Sequence, residues 1–176
     1  MLPYEELSAP ERALWDAFPE GRLVDLRTGT MNDDPAAAQE WGAERTVRAR
    51  VVAALLLGAH TPQPGAVAAV RLTGARITGR LDLAGAQVEH LVWPEGCWLT
   101  EEISLYGTAT RTIGITGSRL RGLAGNTARI DGRLDLQRSA LEGILELKNA
   151  RVGGELLLDG TEIVAPGAGR STPGAW

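Results

Sequence analysis

ARITGRLDLAG (75–85), AQVEHLVWPEG (86–96) and CWLTEEISLYG (97–107) are consecutive elevens that align without gaps. The tens TATRTIGITG (108–117) and SRLRGLAGNT (118–127) follow, and then the elevens ARIDGRLDLQR (128–138), SALEGILELKN (139–149) and ARVGGELLLDG (150–160). Each unit opens on a small residue, and most carry an aliphatic residue two positions later and an aliphatic pair further on. Side chains alternate faces along a strand, so Ala75 with Ile77 and Leu81 with Leu83 point one way while Arg76 and Asp82 point the other. Two inward pairs mean two short strands per unit. Glycines such as Gly74, Gly79, Gly85, Gly132, Gly143 and Gly154 fall between strands, where a turn can need positive φ. Two units together make a four-sided coil that stacks on the next at roughly 4.8 Å, which explains why the sequence repeats at all. About four coils fit between Ala75 and Gly160, with Ile77, Leu83, Val88, Leu99, Leu105, Leu120, Ile130, Leu136, Leu141, Leu147, Val152 and Leu158 pointing inward.

The residues before the array read differently. Ser8-Ala-Pro-Glu11 is a helix start followed by apolar positions at helical spacing, predicting a short helix to about Phe18. Asp25 to Ala36 reads as loop, and the pattern from residue 37 to 57 predicts a second helix that covers the first coil through Val47, Val51 and Leu55, with Gly58 as its C-cap. The expected organisation is thus a helical cap over 1–63, a β-helix over 64–163 and a flexible Gly/Pro-rich tail over 164–176.

The steps ARITG, AQVEH, ARIDG, SALEG and ARVGG resemble the repeat of pentapeptide-repeat proteins. That resemblance implies an all-β repeat solenoid, a right-handed quadrilateral β-helix with inward aliphatic residues at the face centres and small residues two earlier. Here the spacing between centres alternates between five and six, as from Ile77 to Leu83 to Val88, so some corners are looser than the regular fold. With ERALWDAFPEG and WGAERTVRARVVAALLLGA, the chain is also similar to the N-terminal part of bacterial repeat proteins labelled "membrane-associated oxidoreductase", a label that implies redox activity. For nicotinamide or flavin chemistry a Gly-rich turn has to follow a strand and open a helix, whereas GSRLRG and GNTARIDG lie within an all-strand array. The residues therefore point to no cofactor and no catalytic centre.

His60, His90 and Cys97 have no metal-ligand spacing, and both histidines read as solvated. Cys97 takes the small inward slot held by Ala75 one coil earlier and reads as a structural thiol. Net charge is −4, with 6 basic and 10 acidic residues in 1–63 and 12 of each in 64–176. Some pentapeptide-repeat proteins imitate DNA and bind type II topoisomerases, but that needs a strongly acidic face, and Arg129, Arg133, Arg138 and Arg151 crowd among the acids here. A topoisomerase-binding DNA mimic is thus the alternative, and direct nucleic-acid binding is not expected. The longest apolar run, VVAALLLGA (51–59), is far short of the roughly 20 residues that cross a bilayer. With one cysteine and an acidic opening, a cytoplasmic setting is expected, peripheral membrane attachment being left open.

The leading expectation is a non-catalytic scaffold that binds a protein partner. Arg76, Trp98 and Arg119 fall on successive coils of one face, an exposed Trp between two guanidinium groups, either a self-stabilising cation–π ladder or a binding patch. At the far end Leu157 stands outward where Asp135 stands one coil earlier. An uncapped last coil with that extra apolar side chain points either to a tail-to-tail homodimer or to a longer array.

Overall fold

A computed structural model describes residues 2–164. The chain is a four-sided β-solenoid of about four turns whose sheets are all parallel. The first face stacks Ala69–Thr73, Leu91–Glu95, Ile113–Gly114, Leu134–Asp135 and Leu156–Leu157, and the second stacks Arg76–Thr78, Trp98–Leu99, Arg119–Leu120, Ala140–Leu141 and Glu162–Ile163. Leu81–Asp82, Ile103–Ser104, Leu123–Ala124 and Leu145–Glu146 form the third face, and Gln87–Val88, Ala109–Thr110, Arg129–Ile130 and Arg151–Val152 the fourth. Most strands are two residues long, too short to hold any conformation alone. Register supplies what length does not. Ile77 pairs Leu99, Leu99 pairs Leu120, Leu120 pairs Leu141 and Leu141 pairs Ile163, so the ten-residue units keep step with the elevens.

Of the twelve side chains predicted to point inward, the nine from Ile77 to Leu141 are at most 2% exposed. Leu147, Val152 and Leu158 are only half-buried against the same core, because nothing among the described residues stacks beyond them.

Corners are made in two ways. The last residue of every unit is left-handed, and at Thr127, Arg138 and Asn149 this holds without glycine, with φ of 59°, 57° and 58°. Gly132, Gly143 and Gly154, expected at positive φ, have none; there a Cβ would collide with a carbonyl of the previous coil, Arg111, Arg121 and Gly132 respectively. Those glycines serve close backbone approach instead.

The N-terminal region corrects the expected cap. Helix α1 spans Ala9–Ala17 with the Ser8/Glu11 capping box, as its residues predict. The long helix over 37–57 does not form. Pro35–Glu40 and Ala43–Arg45 are 3-10 turns, Thr46–Arg48 is a strand, and only Ala49–Leu56 is α-helical (α2). The first coil leaves strand edges that need partners, and Thr46-Val47, β-branched and poor in helix propensity, supplies one. Strand β1 (Leu23–Asp25) pairs Arg71–Thr73 and strand β2 (Thr46–Arg48) pairs Arg76–Thr78, so the cap begins the stack on two faces. Val47, Val51 and Leu55 are all fully buried, Val47 from a strand and the other two from α2. The tail, from residue 165 on, lies outside the described residues.

Leu136 is 1% exposed in the middle of the stack. A Leu136→Asp chain should show no cooperative thermal transition by circular dichroism, because its carboxylate has neither water nor a cation inside the coil; a soluble variant that melts sharply would show the register to be wrong.

Candidate functional site

On the second face the outward row runs Thr46, Arg76, Trp98, Arg119, Ala140, Glu162. Arg76 and Arg119 flank Trp98 as expected, each guanidinium carbon 5.1 Å from the ring centroid. The tryptophan is not exposed, however: it is 6% accessible and packs with Ala38 and Trp41 from the cap. Trp41 is itself held by Arg45, 3.7 Å above its ring, and Arg45 donates to the Gly74 carbonyl and pairs with Asp33 at 2.8 Å. This ladder fastens the cap onto the first coils. Its geometry leaves three buried donors, Arg45 Nη2, Arg76 Nε and Trp98 Nε1, without an acceptor, whereas Arg119 donates to Glu142 at 2.6 Å.

Beside Arg76 lies a cleft of about 430 Å³, walled by Ser8, Glu11, Trp41, Gly42, Ala43, Thr46 and Arg48. Glu11 is 1% exposed, and its carboxylate accepts from Ser8 N, Arg48 N and the Arg48 guanidinium. Burial alone raises its pKa. The Arg48 side-chain hydrogen bonds, the two backbone N–H groups and the Arg48 charge outweigh that and bring it down to about 2.

The first face carries a feature that the sequence reading missed. Its outward row is Arg71, Trp93, Gly114, Asp135, Leu157. Trp93 lies across Gly114, so close that a Cβ there would sit inside the indole, and Arg133 stands 5.5 Å over the ring. With Leu91, Glu95, Arg71 and Leu23, which is 60% exposed, the half-buried indole lines a shallow groove of about 360 Å³. The signal was present: a glycine in TIGIT falls between Trp93 and Asp135 on the neighbouring coils, the mark of something lying on top. Leu157 is half-buried at the far end of this row, while Leu156, Ile163 and Val164 expose 44%, 53% and 44% of their surface.

A third cleft, of about 580 Å³, opens on the fourth face between the 62–68 linker and Gln87, Glu89, His90, Arg111 and Asp131. Both histidines, expected to be solvated, are half-buried: His90 meets Phe18 edge-on at 5.1 Å and His60 packs on Trp15 at 5.5 Å. Cys97 is fully buried as expected, its thiol accepting from Ala75 N, and burial pushes its pKa up to about 12. A thiol held neutral in this way is no nucleophile. Among the described residues no three metal-ligating side chains converge, and no helix is long and apolar enough to cross a membrane.

Fold and clefts together define a β-solenoid with a short N-terminal helical region and patterned outer faces. No protein-family model matches the chain, and neither a curated protein nor a solved structure matches it.

Two outcomes follow from this geometry. Because Glu11's folded pKa lies below its ordinary value of 4.5, the stability it contributes is complete above that value and lost as pH falls towards 2. The difference in Tm between the parent and Glu11→Gln should hold constant above about pH 5 and narrow below it; a pH-independent difference would refute the assignment. Gly114→Ala should expel the Trp93 indole, seen as a red shift in tryptophan emission and a lower Tm, and most of that loss should vanish in the Trp93→Ala background.

Proposed function

We propose that the protein is a non-catalytic repeat scaffold that binds a protein partner through its first face and pairs with a second copy through its open end. The observation that carries the reading is the Trp93 groove. A half-buried indole flanked by Arg71 and Arg133, beside exposed Leu23, has the composition of an interface hot spot on a rigid surface. The row Ala75, Cys97, Ser118, Ser139, with its aliphatic residue two positions later, supports a pentapeptide-repeat-like character. Winding is right-handed in this reading, the hand that parallel crossovers take almost without exception.

The open end favours a second copy as its occupant. Inward columns that are sealed in mid-array, Leu134 at 0% and Leu141 at 1%, reach Leu156 and Ile163, half-exposed beside strands whose outer edge has no partner among the described residues. An identical end offers the same apolar pattern and the same unpaired edges, and a two-fold axis closes both at once. Leu157 lies at the rim of that contact.

Sedimentation over a concentration series is expected to show a dimer that weakens at least about tenfold in Leu156→Lys or Leu157→Lys, since a buried unpaired charge opposes the contact; a parent monomeric at every concentration removes the self-pairing. For the partner, affinity capture from source cells with the parent and with Trp93→Ala should retain at least one protein in the first case only. Identical captures from both would remove the first-face reading.

A further inference from the structure

The cleft between the cap and the second face has an unbalanced charge. Its walls hold three ionised groups, Glu11, Arg48 and Arg76. Glu11 and Arg48 neutralise each other: both carboxylate oxygens are taken by the Arg48 guanidinium, and the remaining reach of Arg48 goes to the Glu6 carbonyl at 3.0 Å. Arg76 has no hydrogen-bond or ion-pair partner among the described residues, and its Nε is buried. Trp98, 5.1 Å behind it, holds a second buried donor with no acceptor. Leaving a buried donor unpaired costs a protein more than the hydrogen bond itself is worth, and of these two residues only Arg76 lines the cleft, so it is the Arg76 guanidinium that calls for an acceptor there.

The cleft describes that acceptor. It has to be acceptor-only and carry a single negative charge, since one cation is left over. A planar guanidinium matches the two oxygens of a carboxylate better than the multiple charge of a phosphate. The lining around Arg76 includes Trp41, Gly42 and Ala43 together with its strand neighbour Thr46, whose hydroxyl already donates to the Gly42 carbonyl, a setting that suits an apolar group rather than a second charge. We propose that this cleft binds an organic monocarboxylate, its oxygens on Arg76 and its apolar part against Trp41 and Ala43. The carboxylate belongs either to a free small acid or to an acidic side chain of a bound peptide; the chemistry at Arg76 is the same. This site is separate from the Trp93 groove, so failure of one leaves the other standing.

Calorimetric titration with benzoate and with acetyl-Leu-Asp-Leu-amide tests it, with methyl benzoate and inorganic phosphate as comparisons. The expected result is saturable one-to-one binding of at least one carboxylate and none of the ester. Arg76→Gln should weaken it about tenfold or more, the usual loss for a charge-assisted pair. Arg119→Gln, whose residue lies outside the cleft and pairs with Glu142, should change it little. Binding of benzoate alone assigns a free acid, and of the peptide alone an acidic partner segment. No saturation by either acid, equal binding by Arg76→Gln, or a preference for phosphate overturns the proposal. Should Arg76→Gln not fold, acid against ester on the parent chain decides, and equal binding of the two overturns it.

Discussion

Every strand in the array depends on backbone hydrogen bonding between successive coils. Two-residue strands gain nothing from their own length, and the bonds that hold them run to residues about one coil away, as from Trp98 N to the Ala75 carbonyl, Arg119 N to Cys97 and Ala140 N to Ser118. Each coil is therefore a template for the next, and like residues come to lie above like. The repeat in the sequence is the record of that requirement. A coil with no neighbour leaves both strand edges and inward side chains open, which is why the N-terminal region gives up helix to place β1 and β2 on the first coil.

Polar residues inside the coil obey the same template. At the corner entering the second face, Cys97 N donates to Ser118 Oγ and Ser118 N to Ser139 Oγ, while the hydroxyls donate in turn to the carbonyls of Thr116 and Ile115. Ala75 N reaches the Cys97 thiol in the same way. A small side chain at that slot therefore does two jobs: it leaves room for the neighbouring coil, and where it carries oxygen or sulfur it gives the backbone an acceptor. Thr110 is the exception, an inward hydroxyl in the column of Val88 and Ile130 with no partner.

How much of this was legible follows from what repeats. Four faces and their inward residues could be read because small-x-aliphatic steps recur through the array, and two ten-residue units did not hide them. The cap could not be read that way. Strand β1 is three residues long and pairs with Arg71–Thr73, far along the chain, so its neighbours say nothing about it. Trp98 was placed between its arginines from register alone, but the segment that buries it, around Ala38 and Trp41, has no period to announce where it returns. Trp93 over Gly114 could have been found by aligning the outward positions as carefully as the inward ones.

The left-handed corners bear on how such a chain changes over generations. Since Thr127, Arg138 and Asn149 make the same corner as the glycines, and tens close as well as elevens, no single turn is indispensable to the winding. An in-frame duplication or deletion of a pair of units would add or remove one coil and leave every other corner, column and face as it was. Length is then a quantity that recombination can tune in steps of about 4.8 Å, one strand spacing at a time, so the reach of each outer face can be adjusted without inventing a new fold.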